Sequence, residues 1–150
     1  MPHDDVRSPD LLIRPYQEPD EPGVTALWQE AFPDEPARNE PQVMIRRKLG
    51  VQGELFLVGE RQGRIVGTVI AGYDGVRGWI YHMAVAKAEK RRGHGRALMA
   101  DAEKRLAALG CPKVNLQVRS SNTEVVAFYR ALGYAVEDRI SMGKPLPERA

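Results

Sequence analysis

Cysteine is nearly absent from this chain. Cys111 stands alone among 150 residues, so no internal disulfide is possible, and a reducing, cytoplasmic compartment is expected. Aromatic residues are sparse, at 7%, and no apolar run approaches the ~20 residues a membrane helix requires. No charge of one sign dominates. Lys and Arg number 22 against 20 Asp and Glu, and a net charge of +2 is too mild to argue for nucleic acid. The opening "MPHDDVRSPD" lacks the apolar core of a signal peptide, and residues 1–10 read as a disordered lead-in. Repeats and low-complexity tracts are also missing. His3 and His94 form no cluster with metal-ligand spacing, so no metal is expected. What remains, 43% hydrophobic and 28% charged, suits one globular domain over 11–150.

The pattern along that domain is mixed. "LLIRP" is a short strand, and Val24, Leu27, Trp28 and Ala31 then recur at helical spacing. The proline-rich, acidic "FPDEPARNEP" links this helix to a second, "QVMIRRKLG", with Val43, Met44 and Leu49 expected inward. "ELFLVGE" and "IVGTVIAG" flank a glycine turn and read as a hairpin; "WIYHMAV", after the turn "YDGVRG", extends it to a meander. A helix from about Gly95 to Leu109 follows, with Leu98, Ala102, Leu106 and Leu109 as its stripe and Gly110 as its cap. "KVNLQVR" is a strand, "SSNTEVVAFYRALG" a helix, and "YAVEDRISMGK" a last strand region. The order β-α-α-β-β-β-α-β-α-β predicts an α+β fold, sandwich-like, with helices flanking one mixed sheet.

The most informative stretch is "KRRGHGRALMADAEKRL", beginning at Lys90. Its basic residues and two glycines run straight into a helix, whose first N–H groups lack intrahelical partners and favour an anion. Gly93 and Gly95 let a phosphate approach the backbone; Arg91, Arg92 and Arg96 add positive charge. A P-loop is excluded because GxxxxGK[ST] is absent. A dinucleotide fingerprint needs a third glycine where Leu98 stands. The plainer alternative is a basic loop with an ordinary helix cap.

Two motifs together go further. "MAVAKAEKRRGHGRALM" resembles the signature of the GNAT N-acetyltransferases: a strand ending in valine, a polar connector, then [RQ]-x-x-G-x-[GA] opening a helix, with Lys90 in the first motif position. "NTEVVAFYRALGY" resembles the family's downstream pattern at Asn122, Phe128, Tyr129, Gly133 and Tyr134, with Val125 where a small residue is usual. The turns "GYDGVRG" and "GCPK" look like those of the YpeA-type bacterial subgroup. The resemblance implies the GNAT fold and acetyl transfer from acetyl-CoA to an amine. It implies that the backbone of Arg91, Arg92, Gly93, His94, Gly95 and Arg96 holds the pyrophosphate. Met83, Ala84 and Val85 would line the thioester and pantetheine arm, and Asn122 and Tyr129 would complete the cofactor side. At residue level Asn122 is either a ligand contact, with Ser121 as helix cap, or itself the cap.

The chemistry then asks for a base, an oxyanion donor and an acid. A lysine-like amine, pKa ~10.4, must lose a proton before it attacks. An N–H near the end of the fourth strand would serve the oxyanion. Tyr129 matches the family's acid position, and a phenol of pKa ~10 is protonated at neutral pH; a plain core tyrosine is the alternative. The fourth strand carries no Asp or Glu, so His82, through water, is the named candidate base, beside the alternative of an ordinary half-exposed strand histidine. The acceptor is expected to be a small-molecule or protein amine, drawn by Asp34, Glu35 and Glu40, with Trp28, Phe32, Tyr73 and Trp79 as candidate apolar walls. Neither a nucleic-acid nor a membrane partner is expected, and the protein is a monomer or homodimer. The missing carboxylate leaves a second reading open, a catalytically weak acyl-CoA-binding module.

Overall fold

The computed structural model describes residues 10–147, so the lead-in lies, but for Asp10, outside the described residues. The chain divides into two compact units, Met1–Gln117 and Val118–Ala150. The first holds a five-stranded sheet in the order β1-β2-β3-β4-β5. Its strands are β1 (Leu12–Pro15), β2 (Phe56–Arg61), β3 (Arg64–Tyr73), β4 (Gly78–Val85) and β5 (Val114–Leu116). Neighbours pair antiparallel except β4 with β5, which run parallel. The helices are α1 (Glu21–Ala31), α2 (Pro41–Leu49) and α3 (His94–Ala108).

Turn chemistry explains the meander. Gln62 and Gly63 both adopt positive φ, 53° and 75°, which matches the twist of a two-residue hairpin between β2 and β3. Asp74 closes the next turn: its Oδ1 accepts the N–H groups of Val76 and Arg77, each at 2.8 Å. The two faces of the sheet then bury different partners. Phe56, Val58, Ile70 and Ala84 pack with Val24, Leu27 and Trp28 of α1 and Ile45 of α2. On the opposite face Gly67 lies under α3, where a Cβ would come within 2.7 Å of Leu98 and 3.2 Å of the Ala84 carbonyl. With both faces covered, β2 and β3 read as near-continuous apolar runs.

The helix stripes are mostly as the periodicity predicts, with two corrections. In α2 the buried residue is Ile45, and Leu49 is 45% exposed. In α3 Leu98, Ala102 and Leu106 are buried, but Leu109 is 48% exposed because the helix has already ended. Gly110, at φ 87°, turns the chain, and Cys111 N–H reaches back to the Leu106 carbonyl at 3.1 Å. That is the left-handed termination expected of a glycine just past a helix. Asp101 and Arg105 pair on the wet face at 2.6 Å.

The second unit is built on α4 (Thr123–Ala131). Asn122 is its cap: the side-chain Oδ1 accepts Val125 N–H at 3.3 Å, so Asn122 rather than Ser121 starts the helix. Gly133, at φ 97°, ends it. The expected last strand is absent from the described residues after α4. Val136, Ile140 and Met142 are 66%, 90% and 89% exposed there. Their apolar pattern suits a strand, but a strand exists only through pairing, and no sheet pairing is formed.

Candidate active site

Alternation in "WIYHMAV" is interrupted by a bulge. Thr68 opposes Ala84 and Ile70 opposes Tyr81, so His82 and Met83 share the place across from Val69. His82 takes φ +47°, a left-handed conformation uncommon for a residue with a side chain. Two hydrogen bonds pin this point. Buried Thr68 donates from Oγ1 to the His82 carbonyl at 2.9 Å and accepts from Trp28 Nε1 at 2.8 Å. Beyond the bulge β4 departs from β5, which pairs only with Gly78, Trp79 and Ile80. Ala86 N–H points to Val66 of β3. By alternation the N–H of Val85, beyond the bulge, faces the other edge, which β5 does not reach. An extended ligand can bond to an open edge of this kind.

The glycine loop begins one short turn later. Gly93, the cap residue of α3, has φ 79°, and Arg91 has φ 67°. No side chain caps the helix, and its first internal bond runs from Ala97 N–H to the Gly93 carbonyl. The N–H groups of His94 and Gly95 therefore precede the intrahelical ladder, and paired left-handed turns of this sort make an anion nest. Arg91 and Arg92 are exposed beside it.

His94 departs from what its sequence position suggests. Its side chain is fully buried, so only its backbone is available to a ligand. Nε2 lies 2.9 Å from Glu89 Oε1, and Nδ1 is buried without a hydrogen-bond partner. Glu89 also holds Arg61 of β2 at 3.2 Å. The hydrogen bond from His94, aided by Arg61 and Arg92, keeps the Glu89 carboxyl below the usual carboxylate range. Sequence reasoning missed Glu89; an acid five residues before a histidine, flanking a glycine turn, is the signal that locates it.

His82 projects its ring between Trp28, at 4.8 Å between centroids, and Phe32, at 4.7 Å. These three rings wall a half-open cavity of about 260 Å³, bordered by the loop before α2. Glu35 and Glu40 stand in its lining, and Asn39 Nδ2 donates to Glu35 at 3.0 Å. Burial pushes the His82 pKa down, and the nearby Glu35 charge opposes that shift. Of the expected walls, Tyr73 and Trp79 do not line this cavity, and of the expected acids Asp34 does not. A larger cavity of about 570 Å³ lies beside α1 and the β2–β3 turn. Its Arg14 is already bound by Asp20 at 2.7 Å and Glu60 at 2.8 Å, so we assign it no chemistry.

In the second unit Tyr129 is buried, with the rings of Phe128 and Tyr134 at 5.0 and 5.6 Å. Desolvation raises its phenol pKa to about 12. Cys111 donates to the Lys113 carbonyl at 3.3 Å. Among the described residues no group of His, Cys, Asp and Glu is arranged to hold a metal, and no helix is long and apolar enough to cross a membrane.

Comparison with known proteins identifies the family. The model of the acetyltransferase (GNAT) family matches residues 17–134. An acetyltransferase of Yersinia enterocolitica is 43% identical over 136 residues, covering 91% of this chain and 96% of that one. One of Pectobacterium atrosepticum is 42% identical over 138 residues, covering 92% and 97%. Among solved structures, a Trypanosoma brucei acetyltransferase superposes with TM-score 0.69 at 24% identity, covering 91% and 100%. AAC(6')-Iy, in complex with a CoA-containing bisubstrate analogue, superposes with TM-score 0.76 at 16% identity, covering 91% and 99%. These two likenesses establish the fold, and the family match and the bacterial relatives establish more: this chain belongs to the GNAT acetyltransferase family and is an N-acetyltransferase.

Proposed function

We propose that the enzyme moves an acetyl group from acetyl-CoA to a primary amine by direct attack in a ternary complex. The observation that carries this reading is the open edge of β4 leading, through one short turn, to the uncapped glycine start of α3. Acetyl-CoA supplies the activated thioester. The backbone from Arg91 to Arg96 holds the diphosphate, with the exposed Arg91 and Arg92 adding charge. Met83, Ala84 and Val85 line the arm, and the outward N–H of Val85 is a donor for it or for the acetyl oxygen. Asn122 caps α4 through Oδ1.

His82 is the base. Its depressed pKa leaves it neutral at physiological pH, so it accepts a proton from an arriving ammonium, directly or through water. For the leaving sulfur it is the family pattern that assigns Tyr129. A phenol pKa of about 12 keeps its proton in place, but full transfer to a thiolate of pKa ~8.5 is uphill. Tyr129 therefore acts as a hydrogen-bond donor that strengthens as charge builds on sulfur, rather than as a complete proton donor. The balance closes: the N–C bond forms and the C–S bond breaks. Of the ammonium's three protons one stays on the amide, one ends on the thiol and one leaves to solvent.

The test is a thermal-shift comparison of acetyl-CoA, CoA and ATP, followed by thiol release across a panel of amines. Acetyl-CoA and CoA should stabilise the fold by about 2.7 kcal/mol at a hundredfold excess over Kd, and ATP should not. Stabilisation without turnover of any amine would favour the acyl-CoA-binding module. A preference for ATP would overturn the cofactor assignment.

A further inference from the structure

The acceptor side of the site has a chemistry of its own, and the inference drawn from it rests on the acetyl-transfer reading above. The cavity beside His82 has aromatic walls, Trp28 and Phe32, and a rim carrying Glu35 and Glu40. No lysine or arginine lines it. Neither carboxylate has a lysine or arginine partner among the described residues; Glu35 takes a hydrogen bond from the neutral amide of Asn39, and its charge is felt by His82. Elsewhere in this unit acids near a cavity are neutralised, as Asp20 and Glu60 are by Arg14. Two unneutralised carboxylates at the rim of a hollow bounded by ring faces suit a cation, by Coulomb attraction and by contact with the rings. The same pair repels a substrate carboxylate. At about 260 Å³ the cavity is small. It falls just under the ~300–1,000 Å³ of pockets that enclose drug-sized ligands, so the part of an acceptor it encloses is compact.

We propose that this cavity is the acceptor site for a primary amine that carries a second cationic group close by and no carboxylate. The distal cation is held by Glu35 and Glu40, and the proximal amine faces His82. The arrangement separates the two nitrogens by function. One must stay charged to bind, and the other must lose its proton to react; the carboxylates serve the first and the imidazole the second. A free amino acid is disfavoured because its carboxylate meets the acidic rim.

The experiment compares three amines of equal chain length under saturating acetyl-CoA: an unbranched monoamine, the diamine, and the ω-amino acid. The diamine should exceed the monoamine in kcat/KM by about tenfold or more, the scale of a hydrogen-bonded charge contact, with the amino acid lowest. In the Glu35→Gln/Glu40→Gln variant the diamine-to-monoamine ratio should fall to near one. Its thermal stabilisation by acetyl-CoA should match that of the parent enzyme. An amino acid used as well as the diamine, or a ratio that survives the double substitution, overturns the proposal. So does stabilisation by acetyl-CoA with no diamine turned over, which leaves the cofactor reading standing. Failure of acetyl-CoA to stabilise the parent enzyme removes both.

Discussion

At φ +47° inside a strand, His82 turns the chain so that its ring leaves the sheet between Trp28 and Phe32. Such a conformation costs on the order of 1–3 kcal/mol and persists only where surroundings over-determine it, here through Thr68 and Trp28. The same residue carries a kinetic expectation. Its native pKa lies below the ordinary ~6.5, so the base is fully available above that value and is lost as pH falls through the native pKa. kcat/KM should therefore show an acid limb below pH ~6.5. His82→Gln should abolish that limb and lower the rate at pH 7 by about 10²–10⁴. A limb of unchanged position in the variant excludes His82 as the base. Tyr129 is expected to show the opposite behaviour, because a phenol held near 12 contributes no alkaline limb at ordinary assay pH. Tyr129→Phe should reduce kcat by about 10²–10³, as loss of one donor to developing charge does, and leave acetyl-CoA affinity nearly unaltered. Equal kcat in the two enzymes would return Tyr129 to the role of a core side chain.

At the scale of elements, the start of α3 is more than a glycine turn. The backbone donors at Gly93, His94 and Gly95 are useful only if the loop holds its shape before the ligand arrives. The contact that holds it is Glu89 to the buried His94, anchored to β2 through Arg61. Glu89→Gln keeps the size and an acceptor oxygen but removes the charge. The acetyl-CoA KM should rise by about tenfold, the low end for loss of a hydrogen bond to a charged group, while kcat at saturation stays near the parent value and the unliganded melting temperature falls by only a few degrees. A fall in kcat with an unchanged KM would show that the pair does not position the loop. Part of this element was legible in the sequence: the glycines, arginines and following leucine are consecutive in the chain. The burial of His94 was not legible, since a histidine between two glycines reads as a surface residue. The bulge of β4 was hidden for a different reason. "WIYHMAV" alternates without a flaw, and the slip appears only across the pairing with Thr68 and Ile70.

For the whole molecule, the sequence predicts the element order from β1 to α4 because each element carries its period and its stop signal in a continuous stretch. It fails at the C-terminal segment, where "YAVEDRISMGK" has the pattern of a strand but depends on a partner that local pattern cannot supply. It also leaves unspoken which of the loop acids face a cavity, because "FPDEPARNEP" offers several and only folding chooses Glu35 and Glu40. The charged groups that folding does single out set the acid stability of the protein, and the signs can be worked through. His82 has a native pKa below its unfolded value of ~6.5, so on acidification the unfolded chain binds the proton first; stability is complete above about pH 6.5 and declines below it. Asp20, held down chiefly by its hydrogen bond from Arg14, keeps its contribution above the unfolded carboxylate value of ~3.9 and loses it as pH falls further toward its native pKa. Two separate losses are therefore expected on acidification, the first from the imidazole and the second from the carboxylate. Melting temperatures measured from pH 8 to 3 should fall gently below about 6.5 and more steeply below about 4. His82→Gln should flatten the first decline and leave the second in place. If the first decline is the same in that variant, the imidazole is not held neutral between Trp28 and Phe32, and its assignment as a base falls on equilibrium grounds, independent of any rate.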